Sequence, residues 1–224
     1  MKMKFSKYDA IIFDMDGLLL ATENICWECF RSACKQFNYD PDFNIYKRII
    51  GRSTTEGNKI LSEALKDFIP YEEVNPIWNK NYHDAIANNP IPLKKGVREF
   101  LEYVSKLDLK LAVATSTGYD LAVKKLKNTD LYKYFEFVVA GDQVKNSKPD
   151  PEIYLTAADK LRVEPKNCLA FEDSDNGTKA AHSAGMTIIQ IPDIVEVSDE
   201  VRSLGHMIVE SFDKFTDQYP YDEE

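Results

Sequence analysis

Tyr8-Asp9-Ala10-Ile11-Ile12-Phe13-Asp14-Met15-Asp16-Gly17-Leu18-Leu19-Leu20-Ala21-Thr22-Glu23 is the stretch from which the rest of the chain can be read. Four apolar residues, Ala10 to Phe13, stop abruptly at Asp14. A run without alternation suits a strand buried on both faces, as in a parallel sheet. In an open parallel sheet, ligands sit at the carboxyl ends of the strands. Side chains alternate along extended chain, so Asp14 and Asp16 point one way and Met15 the other. Gly17 then allows a sharp exit. A bare Asp-x-Asp would mark only a strand end and a turn. Here the pair follows a buried-type strand, precedes a glycine and closes the chain's first strand.

Downstream, the pattern divides in two. Residues 24–37, 43–50, 54–68 and 71–87 read as helices, with Ile25, Cys29, Ala33 and Phe37 at helical spacing in the first. Asp40-Pro41 and Pro70 punctuate them, and Asn88-Asn89-Pro90-Ile91-Pro92 is a turn-rich break. No strand is expected between 21 and 92. From Leu93 onward, helices at 96–107, 119–127, 151–161 and 176–184 alternate with apolar strands at 110–115, 137–140, 168–171 and 187–191. A shorter sixth candidate lies at 207–209. Alternating strand and helix predicts an α/β fold: a doubly wound, Rossmann-like parallel sheet with helices on both faces. The sheet domain is expected to comprise residues 1–20 and 93–224, and an all-helical domain, 21–92, to be inserted beside the first loop. Linkers near 17–24 and 88–93 would form a hinge that opens for a ligand and closes against water.

The bulk properties narrow the partners. With 224 residues, 44% hydrophobic and 29% charged, the chain can bury a sizeable core. Its 28 basic residues against 37 acidic ones argue against nucleic acid, whose binding rests on clustered Lys and Arg. No apolar run approaches the ~20 residues that span a bilayer. The start, Met1-Lys2-Met3-Lys4, is not followed by an uninterrupted apolar stretch, so no signal peptide and no membrane partner are expected. Cys26, Cys29, Cys34 and Cys168 form no disulfide framework, which fits a reducing, cytoplasmic setting. Cys26-Trp27-Glu28-Cys29 lacks a second ligand pair and reads as helix packing. The acidic tail Asp222-Glu223-Glu224 is the only biased segment.

Three further strand ends carry chemistry. Thr115-Ser116-Thr117 offers hydroxyls and backbone N–H groups at a helix start, which suits either an anion seat or a helix cap. Lys148 lies in Lys145-Asn146-Ser147-Lys148-Pro149-Asp150-Pro151, where a lone lysine ordinarily is a solvated charge. Glu172-Asp173-Ser174 follows an apolar strand. Its carboxylates would repel those after the first strand unless a hard divalent cation such as Mg²⁺ joined them. His83, His182 and His206 are scattered and have no partner at metal-ligand spacing.

These four motifs, in this order, resemble the haloacid dehalogenase superfamily of phosphotransferases. That family opens with D-x-D-G-T-L or D-x-D-G-L-L followed by D-[ST]-E; here Ala21 stands where Asp is usual. Its third motif resembles Ser147-Lys148-Pro149, with Ser147 for the family's Gly, and its fourth resembles Glu172-Asp173-Ser174-Asp175-Asn176-Gly177. The insert resembles the helical cap of the β-phosphoglucomutase-like branch. The resemblance implies Asp14 as nucleophile, Asp16 as general acid and base, and Lys148 orienting Asp14. It also implies Mg²⁺ held by Asp14, the backbone carbonyl of Asp16, Asp173 and Glu172. Thr115, Ser116 and Lys148 would bind the phosphate of a small phosphorylated metabolite, such as a sugar or nucleoside phosphate. A capped core of this kind closes its site without a partner, so a monomer is expected. Sugar-phosphate mutases of the branch carry D-T-A-x-x-H and an Arg three residues after the cap glycine. Here Glu23 replaces the Ala, Cys26 the His, and Thr54 occupies the Arg position after Gly51. The departures favour a phosphatase over a mutase, and the Asp14–Asp16 pair disfavours a binder without turnover. Arg52 is the candidate substrate contact from the cap, with a plain surface arginine as the alternative.

Overall fold

The computed structural model describes residues 4–52 and 54–218. The basic start (residues 1–3), Ser53 beside the cap glycine and the acidic tail 222–224 lie outside them. Six parallel strands form one sheet: β1 (Ala10–Phe13), β2 (Lys110–Thr115), β3 (Phe137–Ala140), β4 (Cys168–Glu172), β5 (Thr187–Gln190) and β6 (Met207–Ile208). Their spatial order is β3-β2-β1-β4-β5-β6, so the opening strand lies in the middle. Ala10 faces Lys110 on one side and Cys168 on the other, and Phe13 faces Val113 and Phe171. All four residues of β1 are fully buried, as an unbroken apolar run requires.

The pleat sends β1 into two separate cores. Ile11 and Phe13 face a core built with α5 (Val97–Val104), α6 (Tyr119–Asn128) and α10 (Phe212–Gln218), through Phe100, Leu101, Leu126, Phe212 and Phe215. Ala10 and Ile12 face α7 (Glu152–Leu161) and α8 (Asp175–Ser183), through Ile153, Tyr154, Ala157, Ala180 and Ala181. Phe13 stacks on Phe171 with ring centroids 5.4 Å apart, and Phe100 meets Phe171 edge-on at 5.1 Å. Burying one such ring contributes about 1.5–3 kcal/mol.

The insert consists of α1 (Glu23–Lys35), α2 (Phe43–Lys47), α3 (Thr54–Leu65) and α4 (Tyr71–Asn88). They share a third apolar cluster around Phe30, Tyr46, Leu61, Leu65 and Trp78. Among the described residues, no strand interrupts them. The two connections run side by side: Leu20 bridges Leu93, and the Ala21 N–H donates to the Pro92 carbonyl at 2.9 Å. The insert touches the core across the strand ends. Asn176 Nδ2 donates to the Gly51 carbonyl at 3.1 Å, and Asn128 Nδ2 to the Ile86 carbonyl at 3.3 Å.

Several helices are shorter than their patterns predict. The first ends at Lys35 because the chain turns through Asn38 with φ 58°. The third ends at Leu65, ahead of Pro70, and the one predicted at 96–107 ends at Val104. The closing helices α9 (Asp199–Arg202) and α10 have no counterpart in the sequence reading. None of the described helices is long and apolar enough to cross a membrane.

Candidate active site

The carboxyl ends of β1, β2 and β4 meet under the insert and floor a cavity of ≈ 500 Å³. Asp14 leaves β1 with its N–H donating to the Phe171 carbonyl at 3.0 Å. Gly17, at φ 86°, lets the chain pass over Asp173: a Cβ there would overlap the Asp173 carboxylate. Asp173 and Asp14 therefore lie under the same turn. Asp14, Glu172 and Asp173 each offer a carboxylate oxygen within 4.8 Å of the others, and all three are buried.

One ammonium serves this cluster. Lys148 Nζ donates to Asp14 Oδ1 at 2.7 Å, to Glu172 Oε1 at 2.6 Å and to the Ala114 carbonyl at 3.0 Å. It is not the solvated charge its loop suggested, being only 4% exposed. Tyr154 from α7 also donates to Glu172 Oε1 at 2.8 Å, and its ring lies 5.1 Å from the ammonium. Glu172 Oε2 accepts from the Asp173 and Ser174 amides at 2.9 and 3.1 Å. Ser174 in turn caps α8 by accepting from the Gly177 N–H.

The charges are unevenly matched. Burial works to raise Glu172, but the charge and hydrogen bond of Lys148 outweigh it and hold the carboxyl below its ordinary range. Burial also works against the Lys148 charge, and Asp14 and Glu172 overcome it, raising the ammonium. Asp14 is pushed up to about 7, chiefly by burial, with Glu172 and Asp16 adding to it against Lys148. Asp173 is driven well above the usual carboxylate range by burial and by Asp14 and Glu172. Three buried carboxylates beside one lysine form an oxygen donor set with surplus negative charge, and they fit a hard divalent cation.

Asp16 sits apart from that cluster. Its Oδ1 accepts from Thr22 Oγ1 at 2.6 Å and Lys125 Nζ at 2.7 Å, and its Oδ2 from Thr117 Oγ1 at 2.6 Å. Burial works to raise this carboxyl, and Lys125, Thr117 and Thr22 together pull it below the ordinary value. Glu23, on α1, is pushed up to about 7 by burial and by the nearby Asp16, and it accepts from the Tyr46 hydroxyl at 3.1 Å.

Thr115 and Ser116 line the cavity at the end of β2. Two amides around the start of α6 are already engaged. Asp142 accepts from the Tyr119 N–H at 3.0 Å, and Thr115 Oγ1 accepts from the Thr117 N–H at 3.2 Å. The hydroxyl protons of Thr115 and Ser116 are further donors for an anion there. Arg52 lines the cavity from the insert, but its guanidinium pairs with Glu56 and donates to the Arg48 carbonyl. Cys26 and Thr54 also line the cavity.

The sequence reading did not single out Lys125 or Tyr154, and it took Thr117 as part of an anion seat and Thr22 as part of the first motif rather than as donors to Asp16. A signal for Lys125 existed: it falls three residues after Ala122 and four before Thr129, on the buried face of its helix.

The sequence model of the haloacid dehalogenase-like hydrolases matches residues 11–191. The chain belongs to the haloacid dehalogenase-like hydrolases. Among its relatives in that family, a Thermotoga maritima phosphorylated carbohydrates phosphatase is 42% identical over 182 residues, covering 80% of this chain and 82% of the relative. A Drosophila melanogaster protein described as a probable pseudouridine-5′-phosphatase is 31% identical, covering 91% and 90%. The crystal structure of a Thermotoga maritima protein described as a "putative beta-phosphoglucomutase" superposes with a TM-score of 0.77 at 35% identity, covering 94% of this chain and 97% of that one. These matches place this haloacid dehalogenase-like hydrolase among the family's phosphatases, with a sheet and helical cap of the β-phosphoglucomutase-like kind.

Proposed function

We propose that the protein is a Mg²⁺-dependent phosphomonoesterase of small phosphorylated metabolites, sugar or nucleoside phosphates, acting through an aspartyl-phosphate on Asp14. The observation that carries this reading is the buried trio of Asp14, Glu172 and Asp173, with Lys148 joining two of them and Asp16 facing the same cavity. Asp14, Asp173, Glu172 and the backbone carbonyl of Asp16 would hold the ion. When bound, it would neutralise charge on the transferring phosphoryl group.

Lys148 fixes one oxygen of Asp14, leaving the other to attack phosphorus. As that bond forms, the bond from phosphorus to the substrate oxygen breaks, and Asp16 gives its proton to the departing oxygen. An incoming phosphate dianion brings negative charge to the cavity that Asp16 lines, which favours the protonated acid needed for this step. Water then attacks the aspartyl-phosphate, Asp16 takes its proton, and inorganic phosphate leaves with Asp14 restored. Thr115 and Ser116 supply donors to the phosphate oxygens, and Lys148, whose three N–H bonds already go to Asp14, Glu172 and the Ala114 carbonyl, supplies its positive charge beside them. Arg52, once freed from Glu56, is the proposed cap contact to the rest of the substrate. Residues 21–92 act as the cap over the core of 1–20 and 93–224, moving on the linkers at 17–24 and 88–93. The cavity of ≈ 500 Å³ suits a small metabolite.

The test is phosphate release from a metabolite panel, with Mg²⁺ and with EDTA. The panel includes β-glucose 1-phosphate and pseudouridine 5′-monophosphate. Metal-dependent release is expected, and Asp14→Asn is expected to abolish it while leaving the circular dichroism and melting curve in place. Full activity in that variant would sink the assignment. Conversion of β-glucose 1-phosphate to its 6-phosphate isomer without release would show a mutase instead.

A further inference from the structure

We propose that Lys125, a residue of the core helix α6 outside all four motifs, is a positioning residue that aims the Asp16 carboxyl at the leaving oxygen of the substrate. The proposal rests on Asp16 being the proton-transferring group. Its geometric basis is independent of that. Lys125 is 1% exposed, and burying an ammonium is costly unless a counter-charge meets it. Its carboxylate partner is Asp16, at 2.7 Å. The ring of Tyr82, from the cap helix α4, lies 5.2 Å from the same ammonium and covers another side of it. The lysine thus stands between the proton-transferring loop and the cap.

The arrangement around Asp16 shows what the lysine does. Thr22 and Lys125 both donate to Oδ1, while Thr117 donates to Oδ2. Two neutral hydroxyls reach one oxygen each, and Lys125 adds the charge-assisted, stronger bond that anchors Oδ1 and with it the torsion of the planar carboxyl. Thr22 stands just before α1, in the connection to the insert, and Thr117 lies in the loop after β2. Lys125 is the cation of the set, and its helix is packed into the sheet core through Ala122 and Leu126. It is the rigid member against which the loop is held.

Substrates differing in leaving group provide the test. p-Nitrophenolate departs without needing a proton, whereas an alkoxide requires one. In Lys125→Met, kcat for an alkyl phosphate is expected to fall about tenfold or more, with KM moving less than about threefold, and p-nitrophenyl phosphate should lose markedly less. Lys125→Arg is expected to restore part of the loss. In an Asp16→Asn background, Lys125→Met should cost little more. Equal losses on both substrates, or a full additional loss in the Asp16→Asn background, would overturn the proposal. A second readout does not depend on activity. A crystal structure of Lys125→Met is expected to show the Asp16 carboxyl turned away from the Thr117 hydroxyl, and an unmoved Asp16 would overturn the proposal. If the wild-type enzyme releases phosphate from nothing, the phosphatase reading fails, and this structure still decides whether Lys125 sets Asp16.

Discussion

Replacing Gly177 by alanine sets two effects of opposite sign against each other. Gly177 lies in the first turns of α8, and by helix propensity alone the change stabilises by about 1 kcal/mol. The new methyl group, however, would overlap the Glu172 carboxylate, at Oε1 and Cδ. Glu172 is fully buried and has little freedom to retreat. It accepts from Lys148 at 2.6 Å, Tyr154 at 2.8 Å, the Asp173 amide at 2.9 Å and the Ser174 amide at 3.1 Å. Overpacking costs about 1–3 kcal/mol. A hydrogen bond to a charged group is worth about 1.5–3 kcal/mol, and at least one must stretch. After the propensity gain, a net loss of about 1.5–5 kcal/mol is expected. Urea unfolding followed by far-UV circular dichroism reads it as a lower midpoint at unchanged slope. Gly57→Ala in α3 supplies the comparison. There a Cβ would meet Ile49 Cβ at an ordinary 3.5 Å, so a gain of about 0.5–1 kcal/mol is expected. A Gly177→Ala protein as stable as wild type, or more so, would refute the reasoning.

Phe171→Ala removes a fully buried ring whose centroid lies 5.1–5.6 Å from those of Phe13, Phe100, Phe212 and Phe215; a loss of about 3–5 kcal/mol is expected in the same assay. Burial pushes the Cys26 and Cys34 thiols up to about 12, so maleimide labelling of the folded protein at pH 8 should leave both largely unmodified until denaturant is added. Asp213 is held down at about 2 by hydrogen bonds from Lys95 and Ser211. A depressed carboxyl stabilises the fold above its unfolded pKa and loses that contribution as pH falls through the folded value. An NMR titration should therefore find its midpoint near 2, and Lys95→Met should return it toward the ordinary carboxylate range.

The strands were legible because a buried parallel strand has a signature of its own: apolar runs such as Ala10-Ile11-Ile12-Phe13 and Cys168-Leu169-Ala170-Phe171 have no polar face to confuse them with. The acidic residues at their ends were legible for the same reason, since each interrupts an apolar run abruptly. Lys148 was harder: its own loop says solvated charge, and only the resemblance pointed inward. Lys125 was hidden by its neighbours, because Lys124 and Lys127 beside it make the helix look like a charged outer face. Tyr154 was hidden differently: its hydroxyl meets Glu172 across the sheet, and no local spacing encodes that meeting. The two closing helices are short, and α9 covers only four residues, too few for a 3.6-residue period to stand out. The acceptor of the Tyr119 N–H at the start of α6 is Asp142, which lies beyond β3 and is brought near only by the parallel crossover.

The central place of β1 also governs the order in which the molecule can be assembled during synthesis. The strand leaves the ribosome first, yet the residues it pairs with are Lys110–Val113 and Cys168–Phe171, each made much later. All four cap helices are translated in the interval. Nascent β1 thus waits with both backbone edges unpaired, and the shortest chain that can satisfy them must extend to Phe171. Long-range pairing of this kind is slow to close and leaves apolar strand edges exposed meanwhile. The nascent chain therefore passes through a window in which its chemical centre, Asp14 and Asp16, is already made but has no floor to stand on.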